Sequence, residues 1–136
     1  LSMSEYLDKA KELRAIVSPH YNCAQAVVIP FAEKAGITSQ LAWKMAANFG
    51  GGMRRAAACG AITGGLMVLG LFGVDDIPTV VEYHNRFKKN HEGALECADL
   101  LRMNKEKGLE KKPHCDAMVF EAVQTVEEIL REKGKI

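Results

Sequence analysis

The chain has no CxxC pair, no HxxxH or HExxH run and no Gly-Lys-Ser/Thr loop ending. The short-range signatures of structural zinc, catalytic zinc and nucleotide phosphate binding are therefore missing. Aromatic residues make up only 7% of the 136 residues and the net charge is +1, with basic residues spread along the chain. That balance argues against a nucleic-acid surface and against a field that would draw the protein to an acidic membrane. Strand-type alternation is weak everywhere. The opening residues, Leu1-Ser2-Met3-Ser4-Glu5-Tyr6, are polar and then acidic, unlike an export signal. Leu1-Ser2 reads as an addition ahead of a start at Met3. The expected compartment is the cytoplasm, where permanent disulfides are uncommon.

Long uncharged runs are also scarce. The one at 56–74 is bounded by Arg54-Arg55 and Asp75-Asp76 and contains five glycines, including Gly60-x-x-x-Gly64. It barely reaches spanning length and its glycines dilute its hydrophobicity, so a buried central helix is expected in place of a membrane span.

What the chain does have is helical periodicity. A first segment over 3–17 carries Leu7, Leu13, Ile16 and Val17, with Ser2-x-x-Glu5 as a capping box, and stops at Ser18-Pro19. A second, 22–35, starts on Asn22 as N-cap and is expected to kink or break at Pro30. A third, 38–49, marks one face with Leu41, Met45 and Phe49 before Gly50-Gly51-Gly52. The fourth, 55–71, has the small residues of a helix surrounded by others. A fifth, 79–90, turns Val80, Val81, Tyr83 and Phe87 inward, and a short sixth covers 95–103. Residues 105–112 read as a charged loop, and a last helix starts at Pro113 and ends in basic residues. The expected fold is all-α, one compact domain over 1–136, a bundle of about five to six helices around the small-residue helix.

Four cysteines, Cys23, Cys59, Cys97 and Cys115, are the chemistry-bearing residues. Each is expected near the start of a helix, Cys23 and Cys115 in first turns, where exposed amides and the helix dipole favour thiolate over thiol. Thiolate is both the nucleophile of disulfide exchange and a metal ligand. The successive gaps of 36, 38 and 18 residues lack zinc-finger spacing, but a bundle can gather distant residues, so zinc or an iron–sulfur cluster held by all four stays open. The plainest alternative is a structural protein, a homodimer through the small-residue helix, whose cysteines only pack.

The segment Cys59-Gly60-Ala61-Ile62-Thr63-Gly64, with Asn22-Cys23-Ala24-Gln25-Ala26 before it, Gly50-Gly51-Gly52-Met53 leading into it, and Cys97 and Cys115 after it, resembles the C_GCAxxG_C_C family of redox-active four-cysteine proteins. The resemblance covers essentially the whole chain. The family label spells Gly-Cys-Ala where this chain reads Cys59-Gly60-Ala61. The resemblance implies a redox role without a substrate.

The leading expectation is a cytoplasmic thiol–disulfide oxidoreductase or electron-transfer protein needing no cofactor, its partner a redox protein or a small thiol or disulfide. Cys59 and Cys23 are the expected reactive pair, and all four cysteines are site candidates. His20 and His114 are candidate proton carriers beside Cys23 and Cys115. Arg55 is expected to act on Cys59 across one helical turn. His84 and His91 read as surface residues, and Gly50-Gly51-Gly52-Met53-Arg54-Arg55 reads as a helix terminator with solvated arginines more readily than as an anion cradle.

Overall fold

A computed structural model describes residues 4–136. Among these residues seven α-helices follow one another with no strand: α1 (Glu5–Ala15), α2 (Cys23–Ala32), α3 (Ser39–Ala46), α4 (Gly60–Leu71), α5 (Ile77–Asn90), α6 (Cys97–Glu106) and α7 (Lys111–Glu132), plus a tight turn at Gly52–Ala56 between α3 and α4. The all-α class is as expected, but the count exceeds five to six because the short segments each close as separate helices. Ser2 of the expected first capping box lies outside the described residues. Ser4 caps α1 instead, its Oγ accepting from the Leu7 amide at 2.9 Å, and Val17 falls beyond the helix, 83% exposed.

Helix α2 begins with a reciprocal cap. Asn22 Oδ1 accepts from the Gln25 amide at 2.8 Å and Gln25 Oε1 accepts from the Asn22 amide at 2.9 Å, which satisfies two donors at the helix start. The same side chains reach sideways: Asn22 Nδ2 donates to the carbonyls of Ala46 and Ala47, and Gln25 Nε2 to that of Trp43. The start of α2 is thereby tied to the end of α3. The helix continues through Pro30 and ends two residues later at Ala32.

Helices α2, α4 and α7 touch one another and form the centre; α1 packs on α2 and α7, α3 on α2, α5 and α6 on α7. Helix α2 is buried at every position from Ala24 to Ile29 and again at Phe31 and Ala32. The small residues of α4 are what admit it. A Cβ on Gly64 would stand 3.0 Å from the Ala24 carbonyl oxygen, and one on Gly65 would strike the Tyr83 hydroxyl, which donates to the Ile62 carbonyl at 2.8 Å. Helix α7 contributes Met118, Val119, Ala122, Val123, Val126, Ile129 and Leu130, a buried stripe at helical spacing.

Three expected details change. Leu41 and Met45 face outward, and α3 buries Ala42 and Ala46 instead. Val81 is exposed while Tyr83 and Phe87 are buried, because residues two apart on α5 point to nearly opposite faces whereas residues four apart share one. The expected 105–112 loop shrinks to the few residues between α6 and α7, clamped by Asn104 Nδ2 donating to the Leu109 and Glu110 carbonyls. No helix of the described residues is long and apolar enough to cross a membrane; the 56–74 run is divided by the bend ahead of α4.

Candidate functional site

Cys23 and Cys97 are the first residues of α2 and α6. Cys59 is the N-cap of α4, outside the helix proper. Cys115 is in the second turn of α7, because that helix starts at Lys111 and takes Pro113 as its third residue. All four line a single cavity of about 30 Å³, closed by Gly51, Gly60, Leu100, Leu101, His114 and Met118 among others. That is roughly room for one water.

The backbone sets these positions. The Cys59 amide donates to the Leu95 carbonyl at 3.0 Å and the Cys97 amide to the Ala57 carbonyl at 2.6 Å, an antiparallel bridge centred on Ala58 and Glu96. It holds the starts of α4 and α6 side by side. Against it lies the glycine turn. Gly51, Gly52, Met53 and Arg54 all have φ near +60° and Ala56 has φ +57°, a left-handed path that costs non-glycine residues on the order of 1–3 kcal/mol each. Arg54 Nη2 donating to the Ala47 carbonyl at 3.1 Å and the Ala57 amide donating to the Gly52 carbonyl at 2.8 Å hold it in place. Gly52 has no substitute here: its Cβ would lie 2.7 Å from Cys97 Cβ. Gly60 is equally confined, with the Phe49 carbonyl oxygen 2.5 Å and Cys23 Cβ 3.4 Å from where its own Cβ would be. Arg55, at φ −139° in this turn, does not stand one helical turn from Cys59, so the expected effect on that thiol has no helix to act along.

The thiols are not equivalent. A hydrogen bond with Cys115, reinforced by burial, raises Cys23 well above the ordinary thiol range. The same hydrogen bond lowers Cys115 to about 7, against the opposing effect of burial and helped by the Arg14 and Lys111 charges. Burial pushes Cys59 up to about 11, although the Ile62 and Ala61 amides pull the other way. Cys97 is raised by burial and by the neighbouring Cys115, with Lys111 opposing. The expectation that helix starts make thiolates of all four is thus corrected: desolvation raises Cys59 and Cys97, the Cys115 partner raises Cys23, and only Cys115 is lowered.

Two recesses reach this cavity. One, of about 300 Å³, is lined by Arg14, His20, Asn22, Cys23, Lys111, Lys112 and Cys115. The other, of about 580 Å³, runs between α6 and α7 and meets the cysteine cavity at His114 and Leu100. His114 is lowered by its burial and by His91, so it is neutral at physiological pH. His91 Nε2 lies 2.7 Å from Glu121 Oε1, and both His84 and His91 are half-buried.

Arg14 is the residue that sequence reasoning missed. It is 6% exposed, with Nε donating to Asp116 Oδ1 at 2.7 Å and Nη1 to the Tyr21 carbonyl at 2.8 Å. Lys112 Nζ donates to the same carboxylate and to the Arg14 carbonyl. The available signal was a charge at helical spacing from Leu7 and Ala10, on the apolar face of α1. Among the described residues, no group of three or more His, Cys, Asp or Glu side chains is arranged to hold a metal ion.

No curated protein and no solved structure matches the chain. One family model does, over residues 21–129, a span holding all four cysteines and the Cys59-Gly60-Ala61 segment; its description reads "Putative redox-active protein (C_GCAxxG_C_C)". Matched over most of its length, the chain belongs to the C_GCAxxG_C_C family.

Proposed function

We propose that the protein is a dithiol redox protein in which Cys115 attacks a disulfide and Cys23 resolves the intermediate. The observation that carries this reading is the convergence of four cysteines, from four separate helices or their caps, on one small cavity. Cys115 takes the place of Cys59 in the reactive pair expected from sequence, because it is the thiol lowered to about 7 while burial pushes Cys59 up to about 11.

The Cys115 thiolate attacks one sulfur of a substrate disulfide, forming a mixed disulfide and expelling the other half as thiolate. Cys23, which lines the same cavity, then attacks the Cys115 sulfur. The second half leaves as thiolate and takes up the Cys23 proton. The substrate gains two electrons and the protein keeps a Cys23–Cys115 disulfide. Cys59 and Cys97, which flank the Ala58–Glu96 backbone bridge, are a second pair on the same cavity. The reading supposes a compartment such as the cytoplasm, where thiols are kept reduced.

Anaerobic purification followed by thiol counting, metal analysis and peptide mapping tests it. Mild disulfide treatment should remove two thiols reversibly and yield a Cys23–Cys115 peptide pair, while Cys115→Ser should abolish the loss and Cys23→Ser should trap a mixed disulfide on Cys115. Zinc or an iron–sulfur cluster held by the four sulfurs, with thiols released only on chelation, would replace the dithiol reading by the metal one. Four thiols that survive oxidant in the metal-free protein would leave only packing.

A further inference from the structure

We infer that the recess beside Cys23 and Cys115 is an anion-recognition pocket, and that the disulfide reduced there is a small molecule bearing carboxylates. The inference rests on the dithiol reading and adds the substrate class. Three cationic side chains, Arg14, Lys111 and Lys112, and His20 line this recess together with the two sulfurs. Asp116, the carboxylate joined to Arg14 and Lys112, offsets one of those charges and leaves the mouth positive.

Lys111 and Lys112 occupy the first two positions of α7, the positive end of the helix dipole, where cations are unfavourable and anions favoured. The N-cap Glu110 makes no capping hydrogen bond with its side chain. A sequence selected for the helix alone would place acids there. Arg14 is held rigidly, Nε on Asp116 and Nη1 on the Tyr21 carbonyl. Nη2 makes no hydrogen bond among the described residues, and the side chain is 5% exposed, so this third nitrogen is left without a protein partner beside the recess. A fixed guanidinium with a free edge suits a carboxylate.

Size and depth select a small molecule. The recess holds about 300 Å³, at the lower end of small-ligand sites. Cys23 and Cys115 are both half-buried and both line it, within reach of a flexible disulfide. The carboxylated disulfide accepts two electrons and leaves as two thiols, and the protein is left with its Cys23–Cys115 disulfide.

The test compares three symmetric disulfides of similar size with the reduced full-length chain at neutral pH: 3,3′-dithiodipropionate (two carboxylates), 2-hydroxyethyl disulfide (neutral) and cystamine (two ammonium groups). Formation of the Cys23–Cys115 disulfide is followed by acid quench and mass spectrometry, and each rate is divided by that of dithiothreitol with the same disulfide, which removes differences in leaving-group chemistry. The normalised rate should be about tenfold or more higher for the dicarboxylate than for the neutral compound, and lowest for cystamine. That preference should shrink by about threefold or more in Lys111→Gln, an exposed position, and approach unity at about 1 M salt. Equal normalised rates, or a preference for cystamine, would overturn the anion pocket and leave the dithiol chemistry standing. Failure of Cys23 and Cys115 to react with any of the three would overturn both.

Discussion

Cys115 and Cys23 form a pair in which one sulfur is stabilised as thiolate by the proton the other keeps. Burial works against both charges, so the hydrogen bond decides which sulfur ionises. Because Cys115 is depressed below its ordinary value of 9.0 to about 7, its thiolate should populate above about 7 and be lost as pH falls through it. The alkylation rate of Cys115, read by mass spectrometry across pH, should therefore have its midpoint near 7, and in Cys23→Ala that midpoint should rise toward 9. An unmoved midpoint would mean that Arg14 and Lys111, and not Cys23, hold the thiolate.

At the scale of elements, the Cys-Gly-Ala order has a packing reason. Cys59 caps α4 and Gly60 opens it against the Phe49 carbonyl and Cys23. The next turn of the same helix brings Gly64 onto the Ala24 backbone. Glycine at both positions lets α4 lie close enough to α2 for Cys59 and Cys23 to share one cavity. Gly60→Ala puts a methyl where a carbonyl oxygen already sits, and neither backbone gives way cheaply. It should cost roughly 1–3 kcal/mol in urea unfolding and slow formation of the Cys23–Cys115 disulfide, because Gly60 lines the cysteine cavity and must shift away from the Phe49 carbonyl. Wild-type stability with unchanged oxidation would show that α4 can shift without disturbing the pair.

The whole molecule is closed by its first and last helices, which pack on one another and on α2. The Arg14–Asp116 ion pair crosses that seam, with the Arg14 side chain 5% and the Asp116 side chain 24% exposed. Loss of Arg14 leaves Asp116 its Lys112 partner, but loss of Asp116 strands the Arg14 charge in a poorly solvated site. Asp116→Ala should destabilise the fold by about 3 kcal/mol, whereas Arg14→Met combined with Asp116→Leu should cost less, since no buried charge is then left unpaired. Denaturant melts of the two variants distinguish these outcomes, and a double variant as unstable as Asp116→Ala would mean that packing, not charge, holds the seam.

Periodicity and punctuation were enough to read the all-α class and the Asn22 start of α2, because hydrophobic spacing and caps act over a few residues and are written locally. The helix limits near Pro30, Arg55 and Pro113 were not legible, since packing around α2, the left-handed turn ahead of Cys59 and the Asn104 clamp override local propensity. Nor was the ranking of the thiols. A helix start confers the same modest help wherever it occurs, but burial and a neighbouring sulfur depend on which segments meet. The sequence by itself determined that four cysteines would lie at or near helix starts in a bundle. Only the tertiary structure decided that Cys115 rests against Cys23, with Arg14 brought from the far end of the chain beside them, because desolvation and charge act through space and not along the chain.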